Sequence, residues 1–375
     1  MKKVVIAIDS FKGCLPSVEA GKAAAEGIRS VYPECEVICL PIADGGEGML
    51  DVLIMATNGQ EVPISAHDPL MRRRNTYYGI SENGETAFIE MASISGLPLV
   101  PPERRNPMLT TTYGTGEIIR DALERGCRNF IIGIGGSATN DAGLGMLQAL
   151  GFRFSDKEGK EVGTGRGEVL IKVAHIDSTC VHPALNSCRF TVACDVQNPF
   201  YGPEGAAYVF APQKGADREM VEALDAGLQN FAEVIRHTTG KDISHHPGAG
   251  AAGGMGGSLL AFLNAELKPG IQLMLEALDF SNKIKSADLI ITGEGKADRQ
   301  TLMGKVPSGI LAEARKQNIP VILLAGNIED SDELQQAGFE GVLSVNPPFI
   351  SLEEAMRPEV ACKNIQQTVE SICKK

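Results

Sequence analysis

Both ends of the chain alternate short apolar runs with amphipathic helical stretches, and the middle does not. Residues 4–8 are apolar and rich in β-branched side chains, fit for a buried strand. Ser17 then stands as an N-cap for a helix carrying Ala20, Ala23, Ala24, Ile28 and Val31. Residues 36–40 read as a second strand, followed by Ala43-Asp44-Gly45-Gly46-Glu47-Gly48 and a helix with Leu50, Leu53 and Ile54. From Ala287 the rhythm returns. A strand over residues 288–292 ends in Gly293-Glu294-Gly295-Lys296, and a helix follows around residues 310–316. A strand at 321–324, a helix near Leu334, a strand at 341–345 and a C-terminal helix over 352–372 complete it. Such alternation predicts a parallel sheet covered on both faces.

Between these ends, residues 61–66, 75–80 and 86–92 read as three strands separated only by turns, Asp68-Pro69 and Glu82-Asn83-Gly84. This is the pattern of an antiparallel or mixed sheet. Further on, a strand ends at Asp195 and a long helix spans residues 217–237. The fold class is therefore α/β. A five-stranded parallel domain (residues 1–60 with 286–375) is interrupted by an inserted mixed α/β domain (61–285). The 375 residues suit two domains.

A net charge of −12 with no run of five basic residues argues against nucleic acid or an anionic membrane as partner. The nine cysteines are odd in number and lack C-x-x-C spacing, which points to reduced thiols and a cytoplasmic setting. Asp9 stops the first apolar run too soon for a signal peptide, and no apolar stretch reaches membrane-span length.

Five glycine-bearing loops carry the chemistry: residues 9–13, 44–48, 133–141, 248–254 and 293–296. In open α/β sheets ligands bind outside the carboxyl ends of strands, which makes the cleft between the domains the expected site. The stretch Gly133-Ile134-Gly135-Gly136-Ser137-Ala138-Thr139-Asn140-Asp141 lies between an apolar run and a helical run. It reads as a strand, a glycine turn and a helix start, a natural phosphate cradle. No Walker A pattern occurs. Gly248-x-Gly250-x-x-Gly253 has dinucleotide spacing but no preceding strand, so a nicotinamide site is set aside and the loop is kept as a second phosphate cradle. Asp9, Asp44, Asp195 and Glu294 are carboxylates at strand ends, suited to Mg²⁺ and to a hydroxyl proton. Lys12, Arg105, Lys214, Lys296 and Lys305 are the candidate cations. The histidines show no metal or triad spacing, and there is no nucleophile elbow.

These motifs together resemble the bacterial type I glycerate kinase family, nearly end to end. The resemblance is carried by Asp9-Ser10-Phe11-Lys12-Gly13, residues 43–48, Arg105-Asn106-Pro107 with Thr110-Thr111-Thr112-Tyr113-Gly114-Thr115-Gly116, and residues 133–141. It continues through Ala193-Cys194-Asp195-Val196 with Asn198-Pro199, Pro212-Gln213-Lys214-Gly215, residues 247–254 and Ile291-Thr292-Gly293-Glu294-Gly295. Cys14, Met49 and Ala142 depart from the usual Ser, Thr and Gly. The resemblance implies a flavodoxin-like domain interrupted by a restriction-endonuclease-like one. It also implies Mg²⁺-dependent transfer of the ATP γ-phosphoryl group to D-glycerate, giving 2-phosphoglycerate or, alternatively, 3-phosphoglycerate. The family's catalytic base is not carried over. The expected catalytic residues are Asp195 as general base, Asp44 and Lys12, and Asp44 and Glu294 are the expected metal ligands. ATP phosphates are assigned to Gly135, Gly136, Ser137, Asn140, Gly293 and Gly295, and the acceptor to Ser10, Arg105 and Thr112. The expected form is a monomer or homodimer. Two rival readings are a kinase for another small hydroxy-acid and a non-catalytic nucleotide or metabolite sensor.

Overall fold

The computed structural model describes residues 1–46 and 48–374; Glu47, in the expected turn at 43–48, lies outside them. In chain order the strands are β1 (Lys3–Ile8), β2 (Glu36–Cys39), β3 (Gln60–His67), β4 (Arg73–Ile80), β5 (Thr86–Glu90), β6 (Asn129–Gly133) and β7 (Arg153–Ser155). They continue as β8 (His175–Asp177), β9 (Arg189–Ala193), β10 (Glu266–Lys268), β11 (Leu289–Ala297), β12 (Val321–Ile328) and β13 (Gly341–Ser344). The chain divides into two compact units, Met1–Asp44 with Ile271–Lys375, and Gly45–Gly270. The boundaries thus fall at 44/45 and 270/271, where the sequence reading has 60/61 and 285/286. Helix Met49–Ala56 goes with the second unit because it packs on β4 and β5, with Ile54 2.5 Å from where a Cβ on Gly79 would stand. Periodicity marks a helix but does not say which sheet its apolar face covers. Residues 271–285 go with the first unit, where Ile271 fills the space beside Gly309.

The first unit holds a five-stranded sheet, order β13-β12-β11-β1-β2, parallel throughout. Read from the β2 edge and renumbered within the unit, this is the 2-1-3-4-5 order of flavodoxin-like sheets. Parallel crossovers are right-handed as a rule, and under that rule a reversal such as that between β1 and β11 puts connecting helices on opposite faces. Helix Ser17–Val31 lies against Pro358–Cys373, and a Cβ on Gly27 would stand only 2.5 Å from the Gln366 carbonyl. Pro16, not Ser17, takes the N-cap position. The Ser17 hydroxyl instead donates to the Ile8 carbonyl (2.6 Å) and accepts from the Ile42 amide (3.0 Å), tying the end of β1 to the segment after β2. The expected C-terminal helix is two helices, Leu352–Ala355 and Pro358–Cys373, because Pro358 opens a helix but cannot continue one. Residues 293–296, expected as a turn, continue β11 alongside β12.

The second unit holds a six-stranded mixed sheet, order β10-β9-β6-β5-β4-β3. Strands β3, β4 and β5 pair antiparallel, and β5, β6, β9 and β10 pair parallel. Phe130 and Phe190 stack across β6 and β9 with centroids 4.7 Å apart. Helix Arg218–Thr239 is capped by Asp217, which accepts from the Met220 amide. Among the described residues no helix is long and apolar enough to cross a membrane.

Candidate functional site

In the first unit, strand order reverses between β1 and β11, and a cavity of about 400 Å³ opens at the carboxyl ends of the sheet. Asp9, Ser10, Lys12, Asp44, Glu294, Gly295, Lys296 and Lys305 contribute to its lining. Asp9 follows β1 directly. Its amide donates to the Gly293 carbonyl (2.8 Å) and its carboxylate accepts from the Ser10 amide (2.7 Å). Burial, and then the charge of Asp44, push the Asp9 pKa up to about 7, against the pull of the Ser10 amide and Lys12. Lys12 reaches Asp44 at 3.5 Å. Burial works against its charge, but Asp44 and Asp9 outweigh that and raise its pKa. Glu294 is buried, which raises its pKa; Thr301 donates to it at 2.5 Å and Lys305 stands 4.0 Å away, both opposing the rise. Thr301 is itself held by the Asp298 amide at 2.9 Å, in a capping box.

The donor set suits a hard cation. Among the described residues no three metal-binding side chains cluster tightly enough to enclose an ion unaided. Mg²⁺ does not require that, since it takes one or two carboxylates and completes its shell with phosphate oxygens and water. Carboxylates crowded until burial and like charge raise their pKa values gain from such a cation.

Other expected residues fare differently. Lys296 is engaged by Glu329 (2.9 Å) and Asp298 (3.5 Å). Gly293 is buried within the sheet, its carbonyl held by Asp9, and a Cβ there would stand 2.5 Å from the Leu324 carbonyl. The absence of a side chain there serves strand spacing. Gly295 does reach the cavity, backed against Phe11 and Lys12.

In the second unit, β6 ends at Gly133 and Gly135-Gly136 form an exposed turn, Gly136 at φ 71°. Their amides donate to none of the described residues. The helical run expected over residues 144–150 is a helix from Leu144 to Ala149. Asp141 already occupies the place an anion would take there. Its carboxylate accepts from the amides of Gly143 and Gly145 (3.2 Å each) and from the amide and hydroxyl of Thr112 (2.8 Å each). Burial raises the Asp141 pKa and these donors oppose the rise. The helix start is therefore internally satisfied, and the amides left open in this stretch are those of the Gly135-Gly136 turn. The Thr112 hydroxyl is buried, donates to Asp141 and accepts from the Met146 amide (2.9 Å).

Lys214 is a buried strut rather than a surface cation. It is 2% exposed and donates to the Ser137 hydroxyl and the Thr139 carbonyl, both at 2.7 Å. Burial lowers its pKa to about 7, with Asp141 opposing. Asn140 is fully buried with both side-chain amide atoms unpartnered, as is the Thr139 hydroxyl. The glycine run 248–254 packs backbone on backbone against this loop. Ala142 donates to the Gly253 carbonyl (3.0 Å), and a Cβ on Gly253 would stand 2.1 Å from the Thr139 carbonyl. Those glycines serve close packing.

Arg105 lies under Gly215, its Nε 3.5 Å from the Val100 carbonyl. Asp195 stands two residues past β9, exposed, accepting from the Gly270 amide at 2.8 Å. Sequence reasoning missed Thr301, the anchor of Glu294, and Asn346, a further cavity residue. The Asp298-x-x-Thr301 capping spacing was the available signal for the first; nothing local marks the second.

The model of the glycerate kinase family matches residues 4–375. A glycerate kinase of Bacillus subtilis (strain 168) is 46% identical, covering 99% of this chain and 96% of its own. A glycerate 2-kinase of Escherichia coli (strain K12) is 47% identical over 95% of this chain and 93% of its own. A crystal structure from Salmonella typhimurium LT2, assigned provisionally as glycerate kinase 2, is 44% identical with a TM-score of 0.90, covering 100% of this chain and 97% of its own.

Proposed function

Because the chain belongs to the glycerate kinase family, and is on that ground a glycerate kinase, we propose that it transfers the γ-phosphoryl group of ATP to D-glycerate with Mg²⁺, releasing 2-phospho-D-glycerate. The observation that carries this reading is the set of Asp9, Asp44 and Glu294 around Lys12 at the carboxyl ends of a parallel sheet. Asp44 and Glu294 are the residues that would hold Mg²⁺, which when bound neutralises phosphate oxygens. Lys12, kept charged by its acidic neighbours, supplies a cation to the transferring group. The open amides of Gly135 and Gly136, with Ser137 and Gly295, are assigned to phosphate. Asn140 belongs with them only in a state that unseals it. Ser10 and Arg105 are assigned to the acceptor. Asp195 is the proposed general base, its carboxylate oriented by the Gly270 amide. Asp9 competes for that role by position, since it follows β1 directly and lines the same cavity as Lys12, Asp44 and Glu294. The nine unpaired cysteines support a cytoplasmic setting, and the proposed form is a monomer or homodimer.

Phosphorus NMR of the purified chain with Mg-ATP and D-glycerate tests the reading. A 2-phosphoglycerate signal is expected, and a 3-phosphoglycerate signal reverses the reacting hydroxyl. Intact ATP with D-glycerate and with a panel of small hydroxy-acids removes the kinase in favour of a sensor. Asp195→Asn and Asp9→Asn then separate the two bases: the true base loses roughly 100-fold or more in kcat, and the other does not.

A further inference from the structure

The charged residues account for only part of the first unit's cavity. We propose that the remainder is a nucleoside pocket, in which the heteroaromatic ring and ribose of the phosphoryl donor lie against Phe11, Val345, Leu352, Ala355 and Met356, with Asn346 at the ring's polar edge. The assignment rests on the kinase reading above and says which part of the protein takes the nucleotide.

Size and chemistry both favour it. About 400 Å³ falls within the range of pockets that take ligands far larger than a three-carbon acid. D-Glycerate carries oxygen on every carbon and has no apolar face to set against a leucine and a methionine. A purine ring has such a face on each side and hydrogen-bonding groups around its rim. Leu352 and Met356 are 78% and 38% exposed, apolar side chains left in water at the cavity wall.

Asn346 is held for edge recognition. Its Nδ2 donates to the Gly326 carbonyl (2.8 Å) and its Oδ1 accepts from Asn364 (3.2 Å). The amide therefore cannot flip, and one N–H and one lone pair remain for a ligand. Gly326 keeps the space open, since a Cβ there would stand 2.8 Å from the Gly295 carbonyl and 3.6 Å from the Phe11 ring. The same cavity carries Lys12, Asp44 and Glu294, so phosphates attached to a nucleoside seated here meet the cation and the carboxylates assigned to them.

The test is the full-length double variant Leu352→Ser/Met356→Ser, compared with wild type by thermal melting to confirm an intact fold. Two readouts follow: calorimetric binding of adenosine, which has ring and ribose but no phosphate, and steady-state kinetics in both substrates. Adenosine affinity is expected to fall and the KM for Mg-ATP to rise about tenfold, the loss expected from removing two apolar contacts, while the KM for D-glycerate moves less than about twofold. A raised KM for D-glycerate with nucleotide parameters unchanged overturns the proposal and gives the cavity to the acceptor. A wild-type chain that phosphorylates no acid, yet binds adenosine in a way the variant loses, removes the kinase reading and keeps the pocket. Normal phosphorylation with unaltered adenosine and ATP parameters in the variant does the reverse.

Discussion

Lys214 and Ala142 show how far a side chain's setting can depart from its usual one. Lys214 has a folded pKa near 7 against a usual 10.5. Between those values the unfolded chain binds more protons, so this lysine's contribution to stability improves as pH rises from 7 towards 10.5, and below pH 7 the buried charge costs most. Lys214→Met removes that cost along with two hydrogen bonds. Its stability relative to wild type is expected to worsen from pH 7 to 9 by up to about 1.4 kcal/mol per pH unit, read by urea unfolding. A flat difference would mean that Lys214 stays protonated. Ala142 sits at φ 53°, where glycine is favoured, and glycine is what the resembling family usually carries there. Ala142→Gly is expected to raise stability by roughly 0.5–1 kcal/mol, relief of left-handed strain exceeding the added chain entropy. The other two departures have visible settings as well. Cys14 lines the first unit's cavity, and Met49 is buried against Gly133.

Among the elements, the loops of the second unit behave as one packed body. The run 248–254 and the loop 133–141 approach so closely that Gly253, at φ 67°, has no room for a methyl group beside the Thr139 carbonyl. Gly253→Ala therefore carries both left-handed strain and a backbone clash, and should cost on the order of 3 kcal/mol in denaturant unfolding. A cost below about 1 kcal/mol would show that the two loops can separate cheaply. Asp141 explains why the helix at Leu144 offers no anion site despite a sequence suited to one. A carboxylate from the chain itself already satisfies the helix-start amides, and Thr112 holds that carboxylate in place. In the first unit the glycine at 293 is likewise spent on strand spacing, while its neighbour Gly295 remains at the cavity.

At the scale of the whole molecule, catalysis and folding should respond differently to metal removal. No described group of three side chains encloses an ion, so chelation is expected to abolish phosphoryl transfer while leaving the melting temperature of the ligand-free protein within about 1 °C. A large fall in melting temperature would reveal a structural metal. The strand-helix rhythm at both ends and its interruption were legible from residue order alone, because burial on both faces of a parallel sheet leaves continuous apolar runs. The ends of such strands are where an open α/β sheet binds ligands, and Asp9, Lys12, Asp44 and Glu294, picked out on that ground, line one cavity there. Tertiary structure alone decided which sheet helix Met49–Ala56 covers, that Asp141 fills the helix start, that Lys214 is buried, and that an apolar wall completes the cavity. The physical reason is range. Periodicity reports a residue's own element, whereas Thr112 with Asp141, Thr139 with Gly253 and Asn346 with Asn364 are partners set by packing between distant segments, and those contacts determine which polar groups remain available to a ligand.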